Sequence, residues 1–325
     1  MIAPTSRLSF ASRRRSRPAR PPVSRLAGLL LAGLLLALAL PAAPVWAAPA
    51  RPLRVVTTFS ILDDMVKAVG GPYLSVTTLV GPDGDVHTYE PSPADARALV
   101  RADVVVSSGL GLETGFDRLY DASGSKATRF VASQGVHVRY VDKAGTREAD
   151  PHCWQDVRDA MVMVRNIRDG LCAADPSAAA NIKDRAAHYL KELQQTDAYI
   201  AKRAAEIPSP ERKLVTSHDA LGYFARRYDF QVIGQALSSL STEAAEPSAR
   251  EMADIIEEIR RAHVPAVFTE NIHSPKLMDQ IARDAHVKIV TSLYTDALGA
   301  PGTPGATYIG MMRYNIDTIA KALHP

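Results

Sequence analysis

The sequence predicts an α/β protein with parallel sheets, on three observations. From Arg51 onward, short runs rich in β-branched residues alternate with stretches that carry apolar residues at helical spacing. The 325 residues are 46% hydrophobic, ample for a packed core in two domains or one large one. One stretch in the middle, 176–207, has no Gly and no Pro after Pro176, and reads as a single long helix.

The elements follow in chain order. Residues 1–47 read as a cleaved signal peptide. A basic segment with Arg13, Arg14, Arg15, Arg17, Arg20 and Arg25 precedes an apolar run, Leu26 to Leu40, which Pro41 and Pro44 break. Val45-Trp46-Ala47 then offers small residues where a signal peptidase reads. About 20 apolar residues are needed to cross a bilayer, and this run is shorter. No Cys lies near the cleavage point, so no lipid anchor is expected, and the mature protein should be exported to the periplasm.

Strands are predicted at "RVVTTF", "SVTTLV", "DVVVSS" and "VHVRYV" in the first half, and at "KLVTSH", "FQVIG", "PAVFTE" and "VKIVTS" in the second. "PADARALVRA" and "SAREMADIIEEIRRAH" are amphipathic helices, and a further helix starts near Asp156. The 176–207 helix would be roughly 45 Å long. It reads as a strut between an N-terminal α/β lobe, 48–175, and a C-terminal one, 208–325.

Charge narrows the function. The formal net charge is +3, but the first fifty residues hold seven Arg and no acid, so the remainder carries an excess of four acidic residues. That balance gives no support to a nucleic-acid partner.

The nine histidines separate by context. His188 lies on the strut, His263 and His286 end helices, His137 alternates within a predicted strand, and His324 is terminal. His87, His152 and His218 each stand where a strand passes toward a helix, the place where open α/β sheets bind ligands. Asp296 follows the strand "VKIVTS" in the same way. Three imidazoles and a carboxylate suit a tetrahedral ion such as zinc. Glu270 occupies a similar junction and is the substitute ligand if Asp296 points elsewhere, with His273 a weaker substitute.

The segments "GPDGDVHTYEPSPADARAL", "GLGLETGFD", "DPHCWQD", "TSHDALGYFARRY", "AAEPSAREMADIIEEI" and "SLYTDALG" together resemble the zinc/manganese receptors of ABC importers, solute-binding protein family 9. The resemblance runs from about Arg51 to the end. It implies two Rossmann-like lobes joined by one rigid helix, with the metal in the cleft between them. It implies metal ligands at His87, His152, His218 and Asp296, the same four reached from junction context. The cargo would be zinc, with manganese or iron as alternatives. The partners would be an ABC importer permease and, as a further candidate, a periplasmic metallochaperone, with the receptor a monomer. In the manganese branch the third ligand is usually a carboxylate, whereas here it is His218, which favours zinc. Many zinc members carry a long His- and acid-rich loop before the second ligand, and this chain has only "DKAGTREAD" there.

Other readings are weaker. Cys153 as a nucleophile would need a base and an oxyanion site, while the neighbouring His152 is already assigned to metal. A Cys153–Cys172 disulfide conflicts with the helix between them, which would hold the sulfurs roughly 20 Å or more apart, so two free thiols are expected. "GLGLETG" has Thr114 where a dinucleotide fingerprint needs its third Gly, and reads as a turn into a helix. A zinc hydrolase using Glu270 as base would need an open coordination position, which a fourth protein ligand closes. A surface adhesin is disfavoured by the missing lipid anchor.

Overall fold

In a computed structural model, the described residues are 51–324 apart from Ala144 and Ala244. The expected signal peptide lies outside them. Four parallel strands form the first sheet in the order β2-β1-β3-β4: β1 Leu53–Phe59, β2 Leu74–Val80, β3 Val104–Ser107 and β4 Thr128–Val131. Side chains alternate across this sheet and both faces are covered. Val55, Val104 and Val106 join one core with helices α1, Ser60–Gly70, and α4, Val157–Ala174. Val56 and Val105 join another with Leu99 of α2, Pro93–Arg101, and Phe116 of α3, Phe116–Ser123. This two-sided burial explains why the strands read as continuous apolar runs.

The fourth strand is β4, where none was expected, and "VHVRYV" is mostly not a strand. Residues 136–139 are irregular, and only Tyr140 onward enters β5, Tyr140–Lys143, which pairs antiparallel with β6, Thr146–Ala149. Side chains replace the ladder there: His137 N–H donates to Asp159 at 3.2 Å and Arg139 N–H to the Tyr223 hydroxyl at 2.9 Å. His137 therefore has no strand to alternate in.

The long helix α5 is Ala179–Ala205, 27 residues and about 40 Å. It starts three residues after Pro176 because the Asp175 carboxylate accepts from Ser177 N–H and Ala178 N–H, at 3.0 and 3.3 Å, and holds a turn there. Ile182, Ala186, Tyr189, Leu193, Thr196, Ile200 and Ala204 recur every three or four residues and are its buried stripe. The largest core passes along this stripe and includes residues from before and after the helix.

Beyond α5, β7 Lys213–Thr216 pairs in parallel with β8 Gln231–Gln235, and β9 Ala266–Glu270 with β10 Lys288–Leu293, with β7 running beside β9. Helices α6 Gly222–Tyr228, α7 Ala249–Ala262, α8 Lys276–Ala285 and α9 Tyr308–Leu323 complete the chain. Ser92 and Ser248 start α2 and α7 with reciprocal capping boxes to Asp95 and Glu251. His263 and His286 close α7 and α8 in the left-handed conformation, at φ 51° and 60°. No helix of the described residues is long and apolar enough to cross a membrane.

Candidate metal centre

Four buried side chains from four separate junctions converge. One nitrogen or oxygen from each of His87, His152, His218 and Asp296 lies within 4.8 Å of the others. His87 Nε2 is 3.3 Å from His152 Nε2 and 3.6 Å from Asp296 Oδ2, and His152 Nε2 is 3.4 Å from Asp296 Oδ1. A tetrahedral ion with bonds near 2.0–2.1 Å separates its ligand atoms by about 3.3–3.4 Å, so this spacing matches a single small cation. Both Asp296 oxygens are buried without a hydrogen-bond donor, as expected of atoms aimed at an ion. His218 Nε2 approaches Asp296 Oδ2 to 2.8 Å.

Local structure explains each placement. His87 follows β2 in a loop held by Asp85, whose carboxylate accepts from His87 N–H at 2.9 Å and from the Thr242 hydroxyl at 2.6 Å. His152 comes just before a 3-10 turn, Cys153–Gln155, and then α4, which Asp156 caps by accepting from Arg158 N–H. His218 follows β7, but α6 starts only at Gly222, three residues after Asp219, where "DALGYFARRY" reads as opening a helix. Asp296 follows β10, whose register shifts between Val290 and Leu293, with Ser292 at φ 62°. Such a bulge bends a strand end and re-aims the residues beyond it.

Two buried carboxylates orient two of the imidazoles from behind. Asp150 Oδ1 lies 2.8 Å from His152 Nδ1 and also accepts from His152 N–H at 3.0 Å. Glu270 Oε2 lies 2.6 Å from His218 Nδ1, while Oε1 accepts from Ser217 N–H and His218 N–H at 2.8 and 3.1 Å. With Asp150 bonded at His152 Nδ1 and Glu270 close to His218 Nδ1, Nε2 of each ring faces the centre. Glu270 thus stands behind His218 and outside the four-atom group; it forms a second group with His218 and His273.

The electrostatics are those of a negative pocket. Burial opposes charge on Asp296, yet facing His218 and His152 holds its carboxyl well below the usual range. Burial likewise opposes charge on Glu270 and on Asp150, but the facing His218 and His152 respectively lower both. Burial disfavours imidazolium at His218, and the Glu270 and Asp296 carboxylates outweigh it and raise it well above the ordinary value.

Residues 55–322 match the family whose model is described as "Zinc-uptake complex component A periplasmic". The chain belongs to this family. It is 35% identical over 284 residues to the zinc-binding protein TroA of Treponema pallidum, covering 85% of this chain and 90% of TroA. It is 34% identical to the manganese-binding lipoprotein MntA of Halalkalibacterium halodurans, over 83% of this chain and 88% of that one. The solved TroA structure superposes with a TM-score of 0.79 at 31% identity, covering 84% of this chain and all of that one. A manganese-bound periplasmic metal-binding protein of candidatus Liberibacter asiaticus gives 0.75 at 26% identity, covering 83% of this chain and 99% of that one. The protein is a divalent-metal-binding receptor of an ABC transporter, extracellular or periplasmic, and not an enzyme. It binds a metal ion and works with a membrane permease and ATPase.

Sequence reasoning missed the residues behind the four converging side chains: Asp150, Arg139, Trp154 and Gln155. Trp154 Nε1–H and Gln155 Nε2–H both donate to the Thr295 carbonyl, at 2.8 and 2.7 Å, and so tie the segment after His152 to the residue before Asp296. Asp150 was legible in principle. A metal-binding His needs a carboxylate or carbonyl on its other nitrogen, and an acid two residues upstream can turn back to provide it. Both cysteines are free thiols, Cys153 buried, with burial pushing its thiol well up and away from thiolate chemistry.

Proposed function

We propose that the protein captures zinc with high affinity in the periplasm and delivers it to its importer, with His87, His152, His218 and Asp296 as the ligands. The observation that carries this reading is the donor set itself: three imidazole nitrogens and one carboxylate within 4.8 Å of one another, with His87, His152 and Asp296 near tetrahedral spacing. Nitrogen donors favour zinc, whereas manganese favours oxygen donors and higher coordination numbers. Relatives named for zinc and for manganese match about equally well, so the ligand set and not the kinship supports the choice. Two ligands precede α5 and two follow it, which supports lobes at 48–175 and 208–325 around the 176–207 linker, with the metal in the cleft. The leader at 1–47 and the lack of a lipid anchor belong to the same reading, as do a monomeric state and delivery by a metallochaperone.

Competition titrations against a calibrated chelator at fixed pH test the assignment. Replacing His87, His152 or His218 by Ala should weaken zinc binding by orders of magnitude, and wild-type binding in two of the three would sink the ligand set. His218→Glu adds a carboxylate that can bind through both oxygens, and should narrow the zinc-over-manganese preference without reversing it. A wild-type protein that prefers manganese would overturn the zinc assignment.

A further inference from the structure

Asp150 is wholly buried, and a buried carboxylate needs more than a neutral imidazole to hold it charged. Its second oxygen, Oδ2, accepts from Arg139 Nη1 at 2.5 Å. The same guanidinium reaches Asp219, next in sequence to His218, with Nη2 3.3 Å from Oδ2. The backbone joins the same knot. Asp150 N–H donates to the Arg139 carbonyl at 2.9 Å, and the Tyr223 hydroxyl accepts from Arg139 N–H and donates to the Asp150 carbonyl, both at 2.9 Å. Arg139 thus spans from the residue that orients His152 to the residue beside His218. These imidazoles come from opposite sides of α5 in the chain.

The space Arg139 occupies is provided by a glycine. A Cβ built on Gly222, at the start of α6, would lie 2.1 Å from Arg139 Cζ and Nη1. That α6 begins with glycine, a poor helix former, is explained by this approach of the guanidinium to the helix backbone.

We propose that Arg139 is a positioning residue that clasps the two halves of the metal site together and sets how long the metal is retained, while the ligands set which metal is chosen. Only a planar fork can serve two carboxylates and a close-packed glycine at once, so Lys is not an equivalent. The inference rests on His152 and His218 being ligands.

The test is the rate at which zinc-loaded protein gives up its metal to excess chelator, followed by stopped flow. Arg139→Met should release zinc about 10-fold faster or more, the usual scale for losing a group that supports a metal ligand. Arg139→Lys should fall between it and wild type, and the zinc-to-manganese affinity ratio should stay within about twofold. A purely structural role would lower the unfolding temperature of the metal-free protein and leave release unchanged. Gly222→Ala displaces the guanidinium without removing it and serves if Arg139→Met does not fold: release should quicken severalfold, with a fall in metal-free unfolding temperature no larger than that of Arg139→Met. Release within twofold of wild type in the folded variants overturns the clasp. If His152→Ala loses zinc in the same assay, the ligand assignment survives that result; if His152→Ala keeps wild-type binding, the ligand assignment and the clasp both fail.

Discussion

His152 and His218 present the same nitrogen to the same centre, yet their supports differ in kind. Behind His152 stands Asp150, whose carboxylate is charge-paired to Arg139. Behind His218 stands Glu270, held by two backbone N–H groups and the Thr295 hydroxyl at 2.9 Å, with no Arg or Lys paired to it among the described residues. A carboxylate paired to a guanidinium and one held by N–H and O–H donors fix an imidazole equally well in geometry. They differ in what remains when one member is removed. Loss of Asp150 leaves the Arg139 guanidinium with Asp219 alone, whereas loss of Glu270 leaves His218 with Asp296 alone and the N–H and O–H groups without their acceptor. The guanidinium cannot shed its proton, whereas His218 can.

The largest expected effect arises from that contrast. Asp150→Ala and Glu270→Ala should each weaken zinc binding about 10–100-fold, and each by less than Asp296→Ala. Asp150→Ala should lower the metal-free unfolding temperature by more than Glu270→Ala does, at a cost on the order of 3 kcal/mol for breaking a buried pair. Chelator competition and calorimetric melting on the same samples measure both quantities. Equal melting temperatures for the two variants would erase the distinction between the supports.

A smaller effect lies in pH. In metal-free protein the raised value of His218 means its charged form contributes stability fully below about 6.5, its unfolded value, and loses that contribution as pH climbs toward the folded one. Asp296, Glu270 and Asp150 are lowered, so their contributions are present above about 4 and fade as pH falls below it. Zinc must displace the His218 proton, so zinc binding strengthens with pH. The gap in unfolding temperature between zinc-loaded and metal-free protein should therefore widen from pH 6 to pH 8. A constant gap across that range would show that His218 is already neutral before metal arrives.

The smallest effect is at Cys153, which lies on neither support and packs its sulfur 3.7 Å from that of Met163. Denatured, unreduced mature protein should react with two equivalents of a thiol reagent, and Cys153→Ser should leave zinc affinity within a few-fold. A larger loss would place the thiol among the residues that orient His152.

Much of the fold was legible because its signals are local. Seven of the eight predicted strands overlap observed ones with a shift of a few residues at most; β1, β3, β7 and β9 are buried along most of their length and so are rich in β-branched and apolar residues. The failure at "VHVRYV" has an equally definite cause. Its alternation is that of a strand, but Asp159 and Tyr223 supply the hydrogen bonds a ladder would have supplied. β4 escaped because four residues containing Arg129 at a sheet edge carry too little apolar pattern. His87, His152, His218 and Asp296 were legible as candidates because each lies in a loop between predicted elements, and such loops can be read from short segments.

By itself, the sequence determined the α/β class, the long central helix, the four candidate donors and the two free thiols, all of which come from periodicity, junctions or residue type within a short window. Tertiary structure alone decided which donors share a centre and what stands behind each. Asp150 and Arg139 are eleven residues apart across a hairpin, Arg139 and Asp219 eighty apart, and Trp154 and Thr295 one hundred and forty-one apart. Such pairings are set by the packing of the chain on α5 and by the requirement that every buried charge find its partner, and neither leaves a mark in the local pattern of residues.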